Sequence, residues 1–394
     1  MSATQQVAGR IYRPVGPKQI AVGQVWAQGA GFSLAQGVDL SLPIMGVRLV
    51  FKGRVTVATA NYTSVNPEGV LNLINRILIT GTNARQGGNV TLVDMDLPTA
   101  WMMNSIFNPQ GNLFIVNNVQ RPMPSTPLIG SATAAAENSY FLGTTAGSTY
   151  NFIVACDVPF HPHHCGVIFR PGFGVRQEEW KNSIQIQLTY GTQADAADGA
   201  LGVSAATTAT TFTGYNSATG TPTVDVYSLP YEMGLDLAPT VLPGVLSRVS
   251  SPISTVLTQA GSNVQLGIMQ PKPTTRIIFK VGTSTTAPYF ATLSDTNVTA
   301  LGIAVGGNRV VREVDDVFAH ANDQVAYYGR PHIQGHNLLD FIQSGSPFSA
   351  YPGDLVGPGV LFSLQANVAG VANARGLIVQ EQMLYAPSGS FYGA

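Results

Sequence analysis

Apolar and polar residues alternate along much of the chain with a period of two. From Val47 to Thr59 the odd positions carry Val47, Leu49, Phe51, Gly53, Val55 and Val57, while the even positions include Arg48, Lys52 and Arg54. This pattern predicts a half-buried β-strand, with Gly53 as a candidate bulge. The alternation returns at Tyr150, Phe152, Val154, Cys156 and Val158, at Ile184, Ile186, Leu188 and Tyr190, and at Leu377, Val379, Glu381, Met383 and Tyr385. Shorter strands are predicted at Arg76 to Thr80, Asn89 to Met95, Leu113 to Val116, Val224 to Leu229, Arg276 to Val281, Leu301 to Val305 and Val360 to Leu364. The chain has 42 glycines and 25 prolines to turn between them, and an all-β protein follows.

Helix signals are few. Pro98-Thr99 introduces a short helix over Ala100 to Phe107, and Asp315-Asp316 introduces one over Val317 to Tyr328. Both have a capping or acidic first turn. These two places belong to an internal repeat: GNVTLVDMDLPTAW from Gly88 lines up with GNRVVREVDDVFAH from Gly307. Upstream of each lies an apolar strand ending in glycine, Ile77 to Gly81 and Leu301 to Gly306. Residues 192–222 are rich in Ala, Thr and Gly and poor in large apolar side chains, as expected of a long surface loop. The strand at Val224 to Met233 is expected to close the first unit, so the better linker between halves is Ala238-Pro239 to Pro243-Gly244.

Charge changes this picture of the surface. The 394 residues include 20 Lys or Arg and 21 Asp or Glu, so 10% are charged, against about 25% in an ordinary domain. Surface scaling gives a 41.5 kDa monomer roughly 15,000 Å² of accessible area, about one charge per 360 Å². Much of the surface is therefore expected to be covered by neighbours. The net charge of −1 argues against a chain that coats itself in nucleic acid, and no sequence-specific nucleic-acid binding is expected. A 45% hydrophobic, 9% aromatic composition excludes disorder. No apolar run reaches the length of a membrane span, and MSATQQVAGRIYRPVGPKQ has no apolar core of a secretory signal. The two cysteines, Cys156 and Cys165, are too few for a disulfide scaffold and suit a reducing cytoplasm. Asn-x-Thr sequons begin at Asn61, Asn89 and Asn297 and read as chance without a leader.

The densest group of chemistry-bearing residues is Cys156, His161, His163, His164 and Cys165 in CDVPFHPHHC. Thiolates and imidazoles are transition-metal ligands. The spacing matches no zinc ribbon or finger, and Cys156 lies on the apolar side of its strand, so a turn between two strands accounts for the segment. A two-barrel metal enzyme of the cupin type needs a His-x-His pair followed closely by Glu. His161-Pro162-His163 is followed by His164, Cys165, Gly166 and Val167, with Asp157 and Glu178 as the nearest acids, and His332 and His336 in the second half make no His-x-His pair. Gly172-Phe173-Gly174 and Gly357-Pro358-Gly359 lack the strand, third glycine and helix of a nucleotide loop. Asp94, Asp96, Asp315 and Asp316 stand at helix starts, where capping and the helix dipole explain them. No catalytic, cofactor-binding or metal-ligating residues are expected, and no cofactor. Residues 1–38 contain Arg10, Arg13 and Lys18 and no acid before Asp39. They read as an extended arm, either simply solvated or laid on an anionic surface such as lipid headgroups.

The succession VDLSLPIMGVRLVFKGRVTVATA, NPEGVLNLINRILITGTN, a strand and short helix, then STYNFIVACDVPF, SIQIQLTYGT and TVDVYSLPYEMGL resembles the first jelly roll of the major capsid proteins of tailless, membrane-containing icosahedral bacteriophages of the tectivirus type. The ending GVLFSLQANVAGVANARGLIVQEQMLYAP is similar to the closing strands of their second jelly roll. The resemblance implies two consecutive eight-stranded jelly-roll sandwiches, a double jelly roll of the adenovirus-hexon lineage, with an arm at 1–38, a first sandwich at 39–237 and a second at 238–394. It further implies a non-enzymatic virion protein, assembled in the host cytoplasm. Its homotrimers are pseudo-hexagonal capsomers that tile a shell with neighbouring capsomers, alongside minor capsid, vertex and internal membrane proteins. Loop 192–222 would project outward and the arm would face a membrane, although Pro14, Gly16 and Pro17 do not suit the helical arm of the tectiviral pattern. The rival readings are a cell-surface or lectin-like β-sandwich that binds a ligand, and the metal-dependent bicupin enzyme.

Overall fold

The computed structural model describes residues 12–56, 69–84, 87–107, 111–120, 149–160, 174–181, 183–191, 211–233, 245–253, 261–267, 274–283, 298–305, 308–314, 336–340, 362–368 and 374–385. The first half supplies β1 (Tyr12–Pro14), β2 (Lys18–Val25), β3 (Gly31–Ser33), β4 (Ile44–Thr56), β5 (Ile74–Asn83), β6 (Gly88–Met95), β7 (Asn112–Val116), β8 (Val119–Gln120), β9 (Thr149–Pro159), β10 (Gln185–Tyr190), β11 (Thr211–Thr213) and β12 (Thr223–Met233). The second supplies β13 (Val245–Ile253), β14 (Gly261–Gly267), β15 (Thr274–Thr283), β16 (Val298–Val305), β17 (Asn308–Val314), β18 (His336–Asp340), β19 (Phe362–Val368) and β20 (Ala374–Tyr385). The helices described are α1 (Leu97–Phe107), the single turn α2 (Gln177–Trp180) and a 3-10 helix at Gly69–Leu73.

Two four-strand sets make the first sandwich. One runs β2-β12-β4-β9, extended by β7 and β8, and the other runs β3-β10-β5-β6. Numbered one to eight in chain order, these strands lie in the orders 1-8-3-6 and 2-7-4-5, the rolled-up pair of Greek keys that defines a jelly roll. The second half repeats this strand for strand: β13-β20-β15-β18 in one sheet and β14-β19-β16-β17 in the other. The Gly-Asn repeat read from the sequence is thereby located. It marks the hairpins β5-β6 and β16-β17, which hold corresponding places in the two units.

The alternation explains the burial. In β4, Val47, Leu49, Phe51, Gly53 and Val55 are buried, while Arg48, Val50, Lys52, Arg54 and Thr56 are half-buried. Burying each large apolar side chain contributes roughly 1.5–3 kcal/mol, and a one-residue slip would forfeit the whole set. Gly53 is not a bulge. The β4-β9 ladder runs unshifted from Gly46 to Thr56, and a Cβ at position 53 would lie 2.8 Å from the ring of Phe152. The glycine makes room for a core aromatic.

The sequence reading of residues 1–38 as an arm is corrected for the described part. β1 and β2 pair with β12, and β3 pairs with β10, so the first jelly roll begins at β2. Trp26 is buried and donates from Nε1 to the carbonyl of Leu73. Lys18 pairs with Asp39 at 2.6 Å, which holds the Asp39 carboxyl below its ordinary value. These strands lack alternation because they lie at edges, where one side of the ladder and much of the side-chain surface stay open. Loop 192–222 is also shorter than expected, since β11 pairs with β4 and Phe212 stacks near Trp26; residues 192–210 lie outside the described residues. α1 begins ahead of Pro98, and the Asp96 carboxylate accepts from the Thr99 amide as its cap. The predicted helix Val317 to Tyr328 and the linker 238–244 lie outside the described residues.

Candidate functional site

The third strand of each unit carries one sequence in two versions: Arg48-Leu49-Val50-Phe51-Lys52 in β4 and Arg276-Ile277-Ile278-Phe279-Lys280 in β15. Strand pairing makes the match positional. Arg48 lies opposite Asp157 of β9 and Tyr227 of β12, and Arg276 lies opposite Asp340 of β18 and Glu381 of β20. Leu49 and Phe51 face the first core, as Ile277 and Phe279 are buried in the second unit. Positions 48, 50 and 52 and positions 276, 278 and 280 therefore occupy the outer faces of two equivalent sheets.

These faces differ in what covers them. On the second unit, Arg276 and Lys280 are each only 1% exposed. Arg276 donates to Glu381 at 3.1 Å, and Lys280 reaches across to Asp96 of the first unit at 2.6 Å. Ile278, Leu338, Leu377 and Val379 join the apolar cluster of the first sandwich. The backbone completes the junction, since β13 runs parallel to β6 with Arg248 opposite Val93 and Val249 opposite Asp94. A sheet of one unit thus continues into a sheet of the next, and the outer face of β15 is closed by the first unit.

On the first unit the same face is open. Arg48 and Lys52 are 33% and 34% exposed, although Asp157 and Asp225, which they bind, are nearly buried. The Arg48 guanidinium is bidentate to Asp157 at 2.6 and 2.9 Å, which holds Arg48 above its ordinary value. Burial pushes the Asp157 carboxyl up against that bond. Lys52 bonds Asp225 at 2.5 Å. Val50, Ile153 and Tyr227 lie among these charges, half-buried. Such a face has its charges already neutralised and its apolar positions part-covered, which lowers the desolvation cost of closing it.

The metal-type cluster is not assembled among the described residues. Cys156 is fully buried in β9, as its strand position predicted. Burial pushes its thiol well up, so it stays protonated. The Asn104 amide donates beside it to the Asp157 carbonyl at 2.7 Å and to Asn112 Oδ1 at 3.0 Å, tying α1 to β9 and β7. His161, His163, His164 and Cys165 lie outside the described residues. His336, in the second half, is buried in β18, and His332 lies outside the described residues. Asp94 is bidentate to Arg76 across the β5-β6 hairpin. Asp96 serves both the α1 cap and Lys280. Sequence reading placed Asp96 only at a helix start and passed over Arg276, Lys280 and Glu381. The repeated Arg-x-x-Phe-Lys is the signal in the sequence that could have found Arg276 and Lys280.

No protein-family model and no curated protein matches the chain. Solved structures do. The major capsid protein of Sulfolobus Turreted Icosahedral Virus (STIV) is similar over 95% of both chains, with a TM-score of 0.55 at 11% identity. The chain within the atomic structure of that virus is matched over 94% of this chain and 89% of its own, with a TM-score of 0.56 and 11% identity. A quasi-atomic model of the PBCV-1 virus capsid matches over 97% of both chains, with a TM-score of 0.52 and 11% identity. Strand order in both halves and these likenesses agree, and the chain has the double jelly-roll fold.

Proposed function

We propose that this protein is a major capsid protein, a structural and non-enzymatic subunit whose homotrimers are pseudo-hexagonal capsomers tiling an icosahedral shell. The observation that carries the reading is the duplication: one chain holds two sandwiches of identical strand order, joined edge to edge, over a length similar to the STIV coat protein. Three such chains present six similar lobes around a ring. The low charge, 10% of residues, and the open face of β4 support lateral burial by copies of the chain. Obligate interfaces of this kind bury about 2,000 Å² or more, at roughly 25 cal/mol per Å² before ordering costs.

In this reading the first unit extends to residue 237 and the second from 238 to 394. The protein resides in the virion after assembly in the host cytoplasm, with minor capsid, vertex and internal membrane proteins as further partners. Residues 1–11 are the segment left for lipid contact, since the strands from β1 onward lie in the sandwich. Sedimentation equilibrium of purified protein tests the reading. Three chains of 41.5 kDa give a species of about 125 kDa, stable on dilution to micromolar concentration. A monodisperse monomer there counts against it.

A further inference from the structure

The junction inside the chain has a counterpart that stays unmade among the described residues. β13 is the first strand of the second unit, and β6, the fifth strand of the first, covers its outer edge in parallel. The corresponding first strand of the first unit is β2, which pairs among the described residues only with β12. The corresponding fifth strand of the second unit is β17, which pairs among the described residues only with β16. Each unit therefore ends in the edge that the other accepts.

Past Lys18, the protection of this edge comes from its irregular register against β12, which shifts between Val224 and Val226 and between Val226 and Tyr227. From Gln19 to Val25 the strand has no charge and no proline, the two commonest guards against strand addition. Val22 and Val25 are 46% and 59% exposed, two of the three large apolar side chains left exposed among the described residues. Beside it lies the face of Arg48 and Lys52, open on β4 where its twin on β15 is closed by the first unit.

We infer that β17 of one copy adds in parallel to the outer edge of β2 of the next, repeating between chains the β6-β13 junction made within each chain. Register follows from the duplication. Pairing with the last strand of each unit sets Arg248 and Val249 of β13 equivalent to Gln19 and Ala21 of β2, with Ile20 as an extra residue. The Gly-Asn repeat sets Val93 and Asp94 equivalent to Arg312 and Glu313. Gln19 of one copy therefore stands opposite Arg312 of its neighbour, and Ala21 opposite Glu313. The contact is head-to-tail, and it closes when each lobe-to-lobe step turns about 60°, after three chains. This inference rests on the capsid reading and specifies how its trimer is joined.

Cysteine pairs test it. Paired strands hold Cα atoms about 4.8 Å apart, within disulfide reach of about 4.4–6.8 Å. In a Cys165→Ser background, with Cys156 buried and protonated, Gln19→Cys/Arg312→Cys protein is oxidised and run without reductant. The expected result is conversion of most chains to covalent dimers and trimers. Val93→Cys/Arg248→Cys is expected to close within one chain and stay at monomer mass, and Gln19→Cys/Val119→Cys to remain unlinked. If the protein sediments as a trimer and the 93/248 pair closes while the 19/312 pair stays unlinked, the β2-β17 junction is overturned and the capsid reading stands. Equal linking of the 19/119 pair also overturns it, as random collision. A monomeric wild-type protein overturns both.

Discussion

Replacing Arg276 with alanine is expected to cost about 3–5 kcal/mol of folding stability, read as a loss in the urea-unfolding free energy of the protein. Arg276 and Glu381 are each 1% exposed, so removing the guanidinium takes a charge-assisted partner from a carboxylate deep in the junction. Glu381→Ala is expected to cost a similar amount, by taking the same partner from the buried guanidinium. The pair itself contributes far less than either loss, because both charges were desolvated to form it. The double variant Arg276→Met/Glu381→Leu is therefore expected to return to within about 1 kcal/mol of the wild type. Additive losses in the double variant would show that the site needs its charges and not merely their mutual neutralisation.

Phe152→Ala is expected to cost about 3–5 kcal/mol, the loss typical of a buried aromatic and the cavity it leaves. Phe152 is fully buried, and its ring lies 5.4 Å from that of Phe51. Its Cζ and Cε1 also fill the space above Gly53, where an added methyl would lie 2.8 and 3.1 Å away, with Pro222 Cβ at 3.1 Å on the other side. Gly53→Ala alone is thus expected to cost about 1–3 kcal/mol through overcrowding. In the Phe152→Ala background the same change is expected to cost little, because the obstructing ring is gone. The coupling of about 1 kcal/mol or more between the two sites is measured by a double-mutant cycle. Strict additivity would mean that Gly53 is retained for its backbone alone.

Long strands buried on one side were legible in the sequence, because each long run of alternation has a definite inside and outside. β4, β9, β10 and β20 lie where that alternation placed them. β2 and β3 were not, and the reason is physical: an edge strand such as β2 buries so little that its polar and apolar residues need not alternate. α2 is a single turn, too short for any helical period. The ion pairs were equally hidden. Arg48 meets Asp157 and Lys52 meets Asp225 across 109 and 173 residues of chain, and only the fold brings such partners together. The duplication was half legible. Its Gly-Asn hairpins stood out because turn residues resist substitution by other types, whereas the matching Arg-x-x-Phe-Lys strands emerged once register aligned them.

Register also changes what the low charge means. Arg48, Lys52, Arg276 and Lys280 of the third strands are gathered into ion pairs on one face of each unit, closed on the second and open on the first. On the proposed reading, a surface poor in charge is one that a copy of the chain covers, with the junction inside the chain as the pattern for that closure.

Electron microscopy of the purified protein, or of shells assembled from it, tests this account most directly. The account predicts particles of three chains with a hexagonal outline, six similar lobes alternating between first and second units. Single two-lobed particles, or rings with another number of chains, would contradict it.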